Sequence, residues 1–475
     1  ADDLGWGDVG CYGALQNLTP AIDSIAADGL RFNHGYSGSA TCSPTRVSLY
    51  TGRYPGRTYV GLQEPIITKD EKTGIPADHP TLPQMMKAGG YSTAMFGKWH
   101  VGHTPWFSPI KIGFEKFFGN LSGAMDYFSH LSLVGEPDLF EGEDEVEVDG
   151  YYTELITDRA VDYIENQPAD KPFYMQVNYT APHWPWEGPD DRDVSDRVTE
   201  ALKVNPLTAL FHYEGGSLET YQKMVKALDD GVQKILDAIK AKGVEENTVV
   251  IFSSDNGGER YAFMWPLVGE KGVLTEGGIR VPLIVKWPKY VKPGQFTDNP
   301  TVTMDITATM LDIAGVPAHA DYPLDGRSIL PWLLDGQEMP ERYLRWRIRE
   351  QGAIRKGKYK LFVQNRPVFK FGKSMEAPRY ELFDVTVDGR EVADLAWHRR
   401  ADVVADALRQ LRPGIDGVIF AALGRRSTFL PQVWEKLPGP IDFMNCLARK
   451  CGLSPEAWRD PAAVISVYQA ECFAE

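Results

Sequence analysis

Hydrophobic and polar positions change their period along the chain, and the first two thirds alternate short apolar runs with amphipathic helical patterns. This alternation is typical of βαβ units and a largely parallel sheet. The predicted strands are Ser92–Phe96, Phe173–Tyr179, Val249–Ser253 and Val281–Lys286. The clearest helix is predicted from about Thr220 to Lys242, where apolar residues fall on one face and Gly243 ends the pattern. Those apolar residues are Met224, Leu228, Val232, Ile235 and Ile239.

After about Pro340 the pattern changes to short alternating strands. They are predicted at Tyr343–Ile348, Gln351–Arg355, Tyr359–Val363 and Tyr380–Phe383, with a helix at Asp402–Leu411. We therefore expect a large mixed, mostly parallel α/β domain over residues 1–340 and an antiparallel α+β subdomain over 341–412. Residues 413–475 form an extension whose role the sequence does not indicate. Its aromatic residues could dock on the body or on a second copy, so a homo-oligomer is compatible with the sequence.

Composition limits the functional classes. The 475 residues are 43% hydrophobic and 24% charged, which is ordinary for a globular protein and excludes disorder, collagen and coiled coil as the main state. No apolar run reaches the roughly 18 residues that a membrane span requires. A formal net charge of −15 disfavours nucleic acid and anionic lipid as partners. An anionic substrate would need positive charge that is concentrated locally.

The five cysteines are too few and too dispersed for a disulfide scaffold. Cys446 could pair with Cys451, or either of them with Cys472. The sequence opens on Ala1-Asp2-Asp3, which resembles the end of a strand, so a further strand is expected upstream.

Three Asn-x-Ser/Thr sequons begin at Asn17, Asn120 and Asn178. Such short strings recur by chance, and Asn178 falls on a predicted core strand. An unglycosylated bacterial protein, periplasmic or cytoplasmic, is therefore favoured.

Cys42 stands in an unusual setting, Cys42-Ser43-Pro44-Thr45-Arg46. Pro44 predicts the first turn of a helix and so places Cys42 at its N-terminus, where free N–H groups and the helix dipole favour negative charge. Taken alone, the residue could be a buried structural cysteine or a thiolate nucleophile of lowered pKa.

The string from Cys42 to Arg53 resembles the sulfatase signature, C-x-P-x-R followed by T-G-R. The resemblance implies an alkaline-phosphatase-like α/β fold. It also implies that a formylglycine-generating enzyme oxidises Cys42 to formylglycine, whose hydrate supplies the nucleophile and is held by Arg46.

Two acidic strings resemble the metal-binding stations of the same family. One is Asp2-Asp3, and the other is Asp255-Asn256, which follows a predicted apolar strand. Singly, they could be solvated loop acids and a plain turn. Together with position 42 they are expected to hold Ca²⁺, with Mg²⁺ less favoured, because carboxylate and amide oxygens suit a hard divalent cation.

Three further strings resemble the family's catalytic stations: Gly90–His100, Ala181–Pro185, and Glu270–Lys271 with the following Glu276–Pro282. Lys98 and His100 are expected to point the same way by strand alternation. The resemblance implies that Lys98 and Lys271 neutralise the sulfuryl oxygens and that Asp255 helps to deprotonate the nucleophile. His183, with Lys271, would protonate the leaving oxygen, and His100 would take a proton in the second step.

The predicted activity is hydrolysis of aryl or carbohydrate sulfate monoesters. Two alternatives remain: a phosphonate or phosphate ester hydrolase with the same formylglycine site, and a sulfated-glycan receptor with a decayed site. Trp184, Trp186 and Trp106 could stack on substrate rings or serve as packing residues. The acidic stretch Glu141–Asp149 is expected to be a solvated hairpin.

Overall fold

The computed structural model describes most of the chain. The described residues are 1–205, 209, 211–212, 215–364, 368–370, 373–375, 379–395, 416–422, 425–459 and 464–469. The helix predicted at Asp402–Leu411 and the thiol of Cys472 lie outside them.

Helices and strands alternate over the first 300 residues, as predicted. The helices are α1 (Pro20–Ala27), α2 (Cys42–Thr51), α3 (Leu82–Ala88), α4 (Tyr152–Glu165), α5 (Arg192–Leu202), α6 (Leu218–Ala241), α7 (Glu276–Ile279), α8 (Thr303–Ala314), α9 (Leu330–Asp335) and α10 (Pro440–Lys450). The strands are β1 (Leu30–Phe32), β2 (Gly35–Tyr36), β3 (Ser92–Gly97), β4 (Lys116–Asn120), β5 (Leu139–Glu141), β6 (Asp144–Glu145), β7 (Phe173–Asn178), β8 (Val250–Ser253), β9 (Leu283–Lys286), β10 (Gln295–Thr297), β11 (Thr301–Val302), β12 (Tyr343–Ile348), β13 (Gln351–Lys356), β14 (Tyr359–Gln364), β15 (Val368–Lys370), β16 (Lys373–Met375), β17 (Arg379–Asp384), β18 (Asp416–Ala422), β19 (Arg425–Phe429) and β20 (Val464–Gln469).

Two mixed sheets form the centre of the body. In the five-stranded sheet, β3 pairs in parallel with β4 and with β7, and β5 and β6 extend it in antiparallel fashion. In the four-stranded sheet, of order β10-β1-β9-β8, strand β9 runs antiparallel to both neighbours. The predicted α/β class with a mixed sheet is confirmed. The β5–β6 pair also confirms the acidic hairpin, in which Glu141 opposes Asp144.

Helix α6 shows how the sequence produces this packing. Its predicted apolar face is buried at Met224, Leu228 and Val232, which pack in the central core, and at Ile239, which packs in a smaller cluster. The Ser217 hydroxyl caps the first turn by accepting a hydrogen bond from Thr220 N at 3.0 Å. None of the described helices combines the length and apolarity needed to cross a bilayer.

A cavity of about 1010 Å³ is lined by β7 and β8 and by apolar residues of α6 and α8. The α-amino group of Ala1 lies at its edge and donates a hydrogen bond to Ser253 O at 3.0 Å. The strand expected upstream of Asp2 stays a prediction.

The C-terminal third contains the predicted short strands. Strands β12, β13 and β14 form two antiparallel hairpins, and β12 alternates exposed and buried residues along its length. The chain divides into two compact units, residues 1–379 with 385–391 and residues 380–384 with 392–475. Within the second unit, β18 lies between β19 and β20, and Trp434 stacks on Phe443 of α10. Cys446 and Cys451 are not bonded to each other, so that possible pairing is not formed. The three-part division at residues 340 and 412 stays a prediction.

Candidate active site

Helix α2 begins at Cys42, as Pro44 predicts. Cys42 is buried, and Arg46 lies one turn later on the same face. Burial raises the pKa of the Cys42 thiol, and the positive charges of Lys98 and Lys271 only partly oppose this. The alternative of a thiolate with lowered pKa therefore has no support in this structure.

Lys98 and His100 follow β3, but the strand alternation predicted for them does not apply. The strand ends at Gly97, and His100 has a left-handed backbone with φ of 55°. Lys98 Nζ lies 2.5 Å from Asp2 Oδ2, whereas a ring nitrogen of His100 contacts Ile66 O at 3.0 Å.

The loop after β7 carries His183. Its Nδ1 bonds to the carbonyl oxygen of Trp184 at 2.7 Å, so Nδ1 is the protonated nitrogen of the neutral ring. Nε2 then points its lone pair towards Asp3 Oδ2, 3.6 Å away. The same Asp3 oxygen accepts a hydrogen bond from Lys271 Nζ at 2.6 Å. The structure thus brings His183 and Lys271 together, although 88 positions separate them in the sequence.

Besides position 42, the other four predicted metal ligands converge as well. Asn256 Nδ2 donates to Asp3 Oδ1 at 2.6 Å, and the backbone N–H of Asp3 donates to Asp255 Oδ1 at 3.3 Å. Arg46 Nη2 bridges Asp2 Oδ2 at 2.7 Å and Asp255 Oδ2 at 3.1 Å. All four ligand side chains are buried.

This oxygen cluster fits a divalent cation. Asp2 Oδ1 and Asn256 Oδ1 are buried and have no hydrogen-bond partner, which is costly unless a ligand completes them. Ligand atoms of Asp2, Asp3 and His183 also lie within 4.8 Å of one another. Carboxylate and amide oxygens are the ligands that Ca²⁺ and Mg²⁺ prefer.

Neighbouring opposite charges keep the carboxylates and lysines of the site ionised despite their burial. Burial disfavours the charged form of Asp2, but Lys98 and Arg46 together hold its pKa well below the usual range. Burial also opposes the charge of Lys271, yet Asp3 and Glu259 hold its pKa well above the usual range. Lys271 is therefore a permanent cation.

Both histidines are neutral. Burial lowers the pKa of His100 and of His183 well below the usual range, and nearby lysines lower each further. In an otherwise acidic protein, the site presents ammonium and guanidinium groups beside two uncharged imidazoles.

Two neighbours of the site were not identified from the sequence. Glu259 Oε2 accepts a hydrogen bond from Trp184 Nε1 at 2.9 Å and lies 3.7 Å from Lys271 Nζ. Asn178 Nδ2 donates to Lys98 O at 3.2 Å and so supports the turn after β3. The only available signal was position, since Glu259 directly follows the Ser-Asp-Asn-Gly-Gly string and Asn178 ends a predicted strand.

The tryptophans and sequons also have definite positions. Trp186 is 1% exposed and Trp184 is 9% exposed, so both are packing residues, whereas Trp106 is 42% exposed. The side-chain amides of the three sequon asparagines all donate hydrogen bonds within the fold, and none is exposed. These bonds are made by Asn17, Asn120 and Asn178.

Comparison with known proteins agrees with this geometry. The profile of the sulfatase family matches residues 1–316. The chain belongs to the sulfatase family. It is a sulfuric ester hydrolase by that membership, with the alkaline-phosphatase-like fold. A second profile, described as N-sulphoglucosamine sulphohydrolase, C-terminal, matches residues 268–412, and a profile named AMMECR1 matches residues 390–473.

This sulfatase is similar to several proteins that are named as sulfatases. It is 31% identical to N-acetylgalactosamine-6-sulfatase of Mus musculus, over 76% of this chain and 70% of the relative. It is 30% identical to arylsulfatase J of Mus musculus, over 86% and 74%. Among solved structures, Ps i-CgsB has a TM-score of 0.73 at 29% identity, covering 86% of this chain and 90% of that one. The phosphonate monoester hydrolase of Agrobacterium radiobacter, at 18% identity and a TM-score of 0.57, shares the fold.

Proposed function

We propose that this sulfatase removes sulfate from carbohydrate esters, with formylglycine at position 42 and Ca²⁺ at the oxygen cluster. The observation that carries the proposal is the buried set of Lys98, Lys271 and Arg46 around unpartnered acid and amide oxygens next to Cys42. The names of the relatives support a carbohydrate substrate. One solved neighbour is described in complex with k-i-k-neocarrahexaose.

The acidic and amide side chains of the site would bind the metal ion, and its lysines would bind the sulfate group. A formylglycine hydrate at position 42 would supply an oxygen nucleophile, and a bound divalent cation would supply positive charge for the sulfuryl oxygens. Asp2, Asp3, Asp255 and Asn256 would hold the cation. Lys98 and Lys271 neutralise the remaining charge of the sulfate group, which favours a transition state that is more anionic at oxygen.

Proton transfer falls to the two imidazoles, with Lys271 as the fixed positive charge beside His183. Neutral His183 has its Nδ1–H committed to Trp184 O, so Nε2 is the atom that exchanges protons. A sulfate group beside it would offset the charge of Lys271 and raise the pKa of His183, which makes it a donor to the leaving oxygen. Neutral His100, held by Ile66 O, is suited to accept a proton in the step that restores position 42.

The first test is the mass of the peptide that contains Cys42, from protein co-expressed with a formylglycine-generating enzyme. We expect the aldehyde or its hydrate, and turnover of sulfated saccharides by that preparation. An unmodified thiol despite active maturation enzyme would overturn the formylglycine assignment. Turnover of aryl sulfates with none of several sulfated sugars would overturn the substrate class.

The phosphonate alternative is weakened by the comparisons, because its representative shares only the fold at 18% identity. Parallel assays of a sulfate ester and a phosphonate monoester decide between them. We expect kcat/KM to favour the sulfate ester, and the reverse order would reassign the enzyme. Any metal-dependent turnover excludes the receptor alternative.

A further inference from the structure

One carboxylate at the active site, that of Glu259, has no role in the reaction as described above. Its side chain is 11% exposed, and it lies a short step along the chain from the metal ligand Asn256. A buried carboxylate is costly unless it has partners, and one that lies beside a sulfate site also repels the anionic substrate. Its presence there implies a function that offsets this repulsion.

The Glu259 carboxylate contacts two neighbouring side chains through one oxygen. Oε2 accepts a hydrogen bond from Trp184 Nε1 at 2.9 Å and lies 3.7 Å from Lys271 Nζ. Lys271 Nζ also donates to Asp3 Oδ2 at 2.6 Å. The ammonium group of a lysine ends a flexible four-carbon chain, so two carboxylates fix its position better than one.

Trp184 contacts His183 in two ways. The centres of the two rings are 4.2 Å apart with their planes inclined by 45°, and Trp184 O is hydrogen-bonded to His183 Nδ1 at 2.7 Å. The indole also packs against Phe211, with ring centres 4.5 Å apart. Because the imidazole packs on the indole and its Nδ1–H bonds to the same residue, the placement of Trp184 sets the direction in which His183 Nε2 points.

Glu259 provides the hydrogen bond that fixes this placement. Trp184 is 9% exposed, and a buried indole N–H needs an acceptor. Ring packing alone allows the indole to tilt, whereas the bond from Nε1 to Glu259 is directional and fixes one edge of the ring. Lys271 Nζ lies 6.0 Å from the centre of the same ring, so the carboxylate, the indole and the ammonium group form one cluster.

Both contacts of Glu259 lead to the same point in the site. Asp3 Oδ2 lies 2.6 Å from Lys271 Nζ and 3.6 Å from His183 Nε2. Glu259 therefore bears directly on the lysine that neutralises the sulfate group and, through Trp184, on the imidazole assigned to the leaving oxygen.

We infer that Glu259 is a positioning residue for the departure of the alcohol, because it directs His183 Nε2 through Trp184 and fixes Lys271 beside it. The inference rests on the proposed role of His183. As the bond between sulfur and the leaving oxygen breaks, the proton on Nε2 moves to that oxygen, and a misdirected imidazole donates it poorly. The cost should be large for a sugar alkoxide, which is a poor leaving group, and small for 4-nitrophenolate, which departs without a proton.

The experiment measures kcat and KM of wild type, Glu259→Ala and Glu259→Gln on a sulfated saccharide and on 4-nitrophenyl sulfate. We expect Glu259→Ala to lower kcat by about 30-fold or more on the saccharide and by less than about threefold on the nitrophenyl ester. KM should stay the same or fall, because a carboxylate that repels the substrate is removed. Glu259→Gln keeps an acceptor for the indole N–H and should recover most of the lost kcat. Glu200→Gln, an exposed site on α5, is the control and should match wild type on both esters.

The ratio of the two kcat values within one variant does not depend on its folded fraction, so partial unfolding cannot imitate the expected result. Equal losses of kcat on both esters in Glu259→Ala would overturn the inference. A raised KM with unchanged kcat would also overturn it, because Glu259 would then be a substrate-binding residue.

A double-mutant cycle tests the route through Trp184. Trp184→Phe keeps an aromatic ring and removes the N–H, so Glu259→Ala should lower kcat on the saccharide much less in that background than in wild type. Two losses that combine in full would overturn this route.

His183→Ala separates the inference from the proposed function. It should show the same dependence on the leaving group, and more strongly than Glu259→Ala. If it lowers kcat equally on both esters, the proposed role of His183 and the inference are both wrong. If His183→Ala depends on the leaving group and Glu259→Ala does not, only the inference is wrong. If wild type turns over no sulfated sugar, the carbohydrate substrate class is wrong, and the sulfate ester of a simple alcohol replaces the saccharide in the same comparison.

Discussion

Lys98 and Lys360 are both completely buried, and each neutralises carboxylates on distant segments. Lys98 Nζ lies 2.5 Å from Asp2 Oδ2, and Lys360 Nζ lies 3.0 Å from one oxygen each of Glu276 and Glu391. In both cases a cation without counter-charge would be strongly destabilising. By burial and charge alone, the two sites are alike.

The two sites differ in what their carboxylates still lack. Both oxygens of Glu276 have protein partners, since Oε1 contacts Lys360 and Oε2 accepts from the Tyr36 hydroxyl at 2.7 Å. At the other site, Asp2 Oδ1 and the neighbouring Asn256 Oδ1 have none. The Glu276 carboxylate needs no further ligand, whereas the Asp2 site is completed only by one. Glu391 Oε1 at the Lys360 site also lacks a hydrogen bond, but it forms an ion pair with Lys360 Nζ at 3.0 Å, whereas Asp2 Oδ1 and Asn256 Oδ1 have neither an ion pair nor a hydrogen bond among the described groups. Oxygens that lack both, more than buried charge, indicate where a ligand binds.

The largest expected effect is at Cys42, which lies in the field of Lys98, Lys271, Asp2 and Asp255. Cys42→Ala should lower kcat/KM by on the order of 10³-fold or more, because the nucleophile is removed, with little change in thermal midpoint. Initial rates on a sulfated saccharide measure it, and Cys446→Ala, on α10, is the control. Cys42→Ser lacks the second hydroxyl of the hydrate, so multiple turnover by that variant at the wild-type rate would contradict the mechanism.

Lys98→Met and Lys360→Met test directly whether the Lys98 site is functional and the Lys360 site structural. Lys98→Met should lower kcat/KM by about 10²- to 10³-fold, because it removes a charge that the proposed mechanism directs at the sulfuryl oxygens. Lys360→Met should lower the free energy of unfolding by about 3 kcal/mol, because it removes the nearest buried counter-ion of Glu276 and leaves, among the described ion pairs, only that with Arg280, whose Nη1 lies 3.5 Å from Glu276 Oε2. Its folded fraction should keep kcat/KM within a few-fold of wild type. Activity and urea unfolding are measured on both variants, and interchanged phenotypes would refute the distinction.

The active site could be predicted because its residues lie in short strings at strand ends. Cys42, Lys98, His183 and Asp255 each follow directly on a predicted strand or begin a predicted helix, so a sequence resemblance located them one by one. The carboxyl ends of neighbouring strands then bring such positions together. The mixed α/β fold followed from the same alternation.

The remaining contacts have no local signature. Lys360 and Glu276 are 84 positions apart, and nothing near either residue indicates the pair. Asp8 and Tyr221, whose hydroxyl donates to Asp8 Oδ2 at 2.5 Å, are 213 apart. The left-handed conformation of His100 depends on tertiary packing, and strand periodicity failed there for that reason.

Metal binding also separates the two lysine sites. Of the two, only the oxygen cluster beside Lys98 should bind Ca²⁺ and gain thermal stability from it. Ca²⁺ at 100 times its Kd should stabilise the wild type by about 2.7 kcal/mol, which raises the thermal midpoint by a few degrees after chelator treatment. Asn256→Ala removes an unpartnered oxygen and should abolish most of that rise, while Asn205→Ala, at an exposed position, should keep it. Mg²⁺ should produce a smaller shift, since it favours strict octahedral geometry with bound water. If Ca²⁺ raises the thermal midpoints of wild type and Asn256→Ala equally, the oxygen cluster is not the metal site.

The smallest effect is expected from pH at the Lys360 site. Burial raises the pKa of Glu391 to about 7, against the partial opposition of Lys360. A carboxyl with a raised folded pKa stabilises the fold fully below its unfolded pKa, about 4.3, and loses that contribution as pH rises through 7. Between about pH 5 and about pH 7 the loss is about 2 kcal/mol. The pKa of Glu276 is lowered to about 2, so its own contribution is lost only as pH falls below about 4 and lies outside this window.

Glu391→Gln removes the titrating group and keeps a polar side chain of the same size. Its free energy of unfolding should therefore change less between about pH 5 and about pH 7 than that of the wild type. Urea unfolding at the two pH values measures the difference, and Glu381→Gln, a carboxyl for which no such burial applies, is the control. An unchanged pH dependence in Glu391→Gln would mean that Glu391 is already ionised beside Lys360 at low pH. The Lys360 site would then be a permanently charged one like that of Lys98, and only the unpartnered oxygens would separate the two.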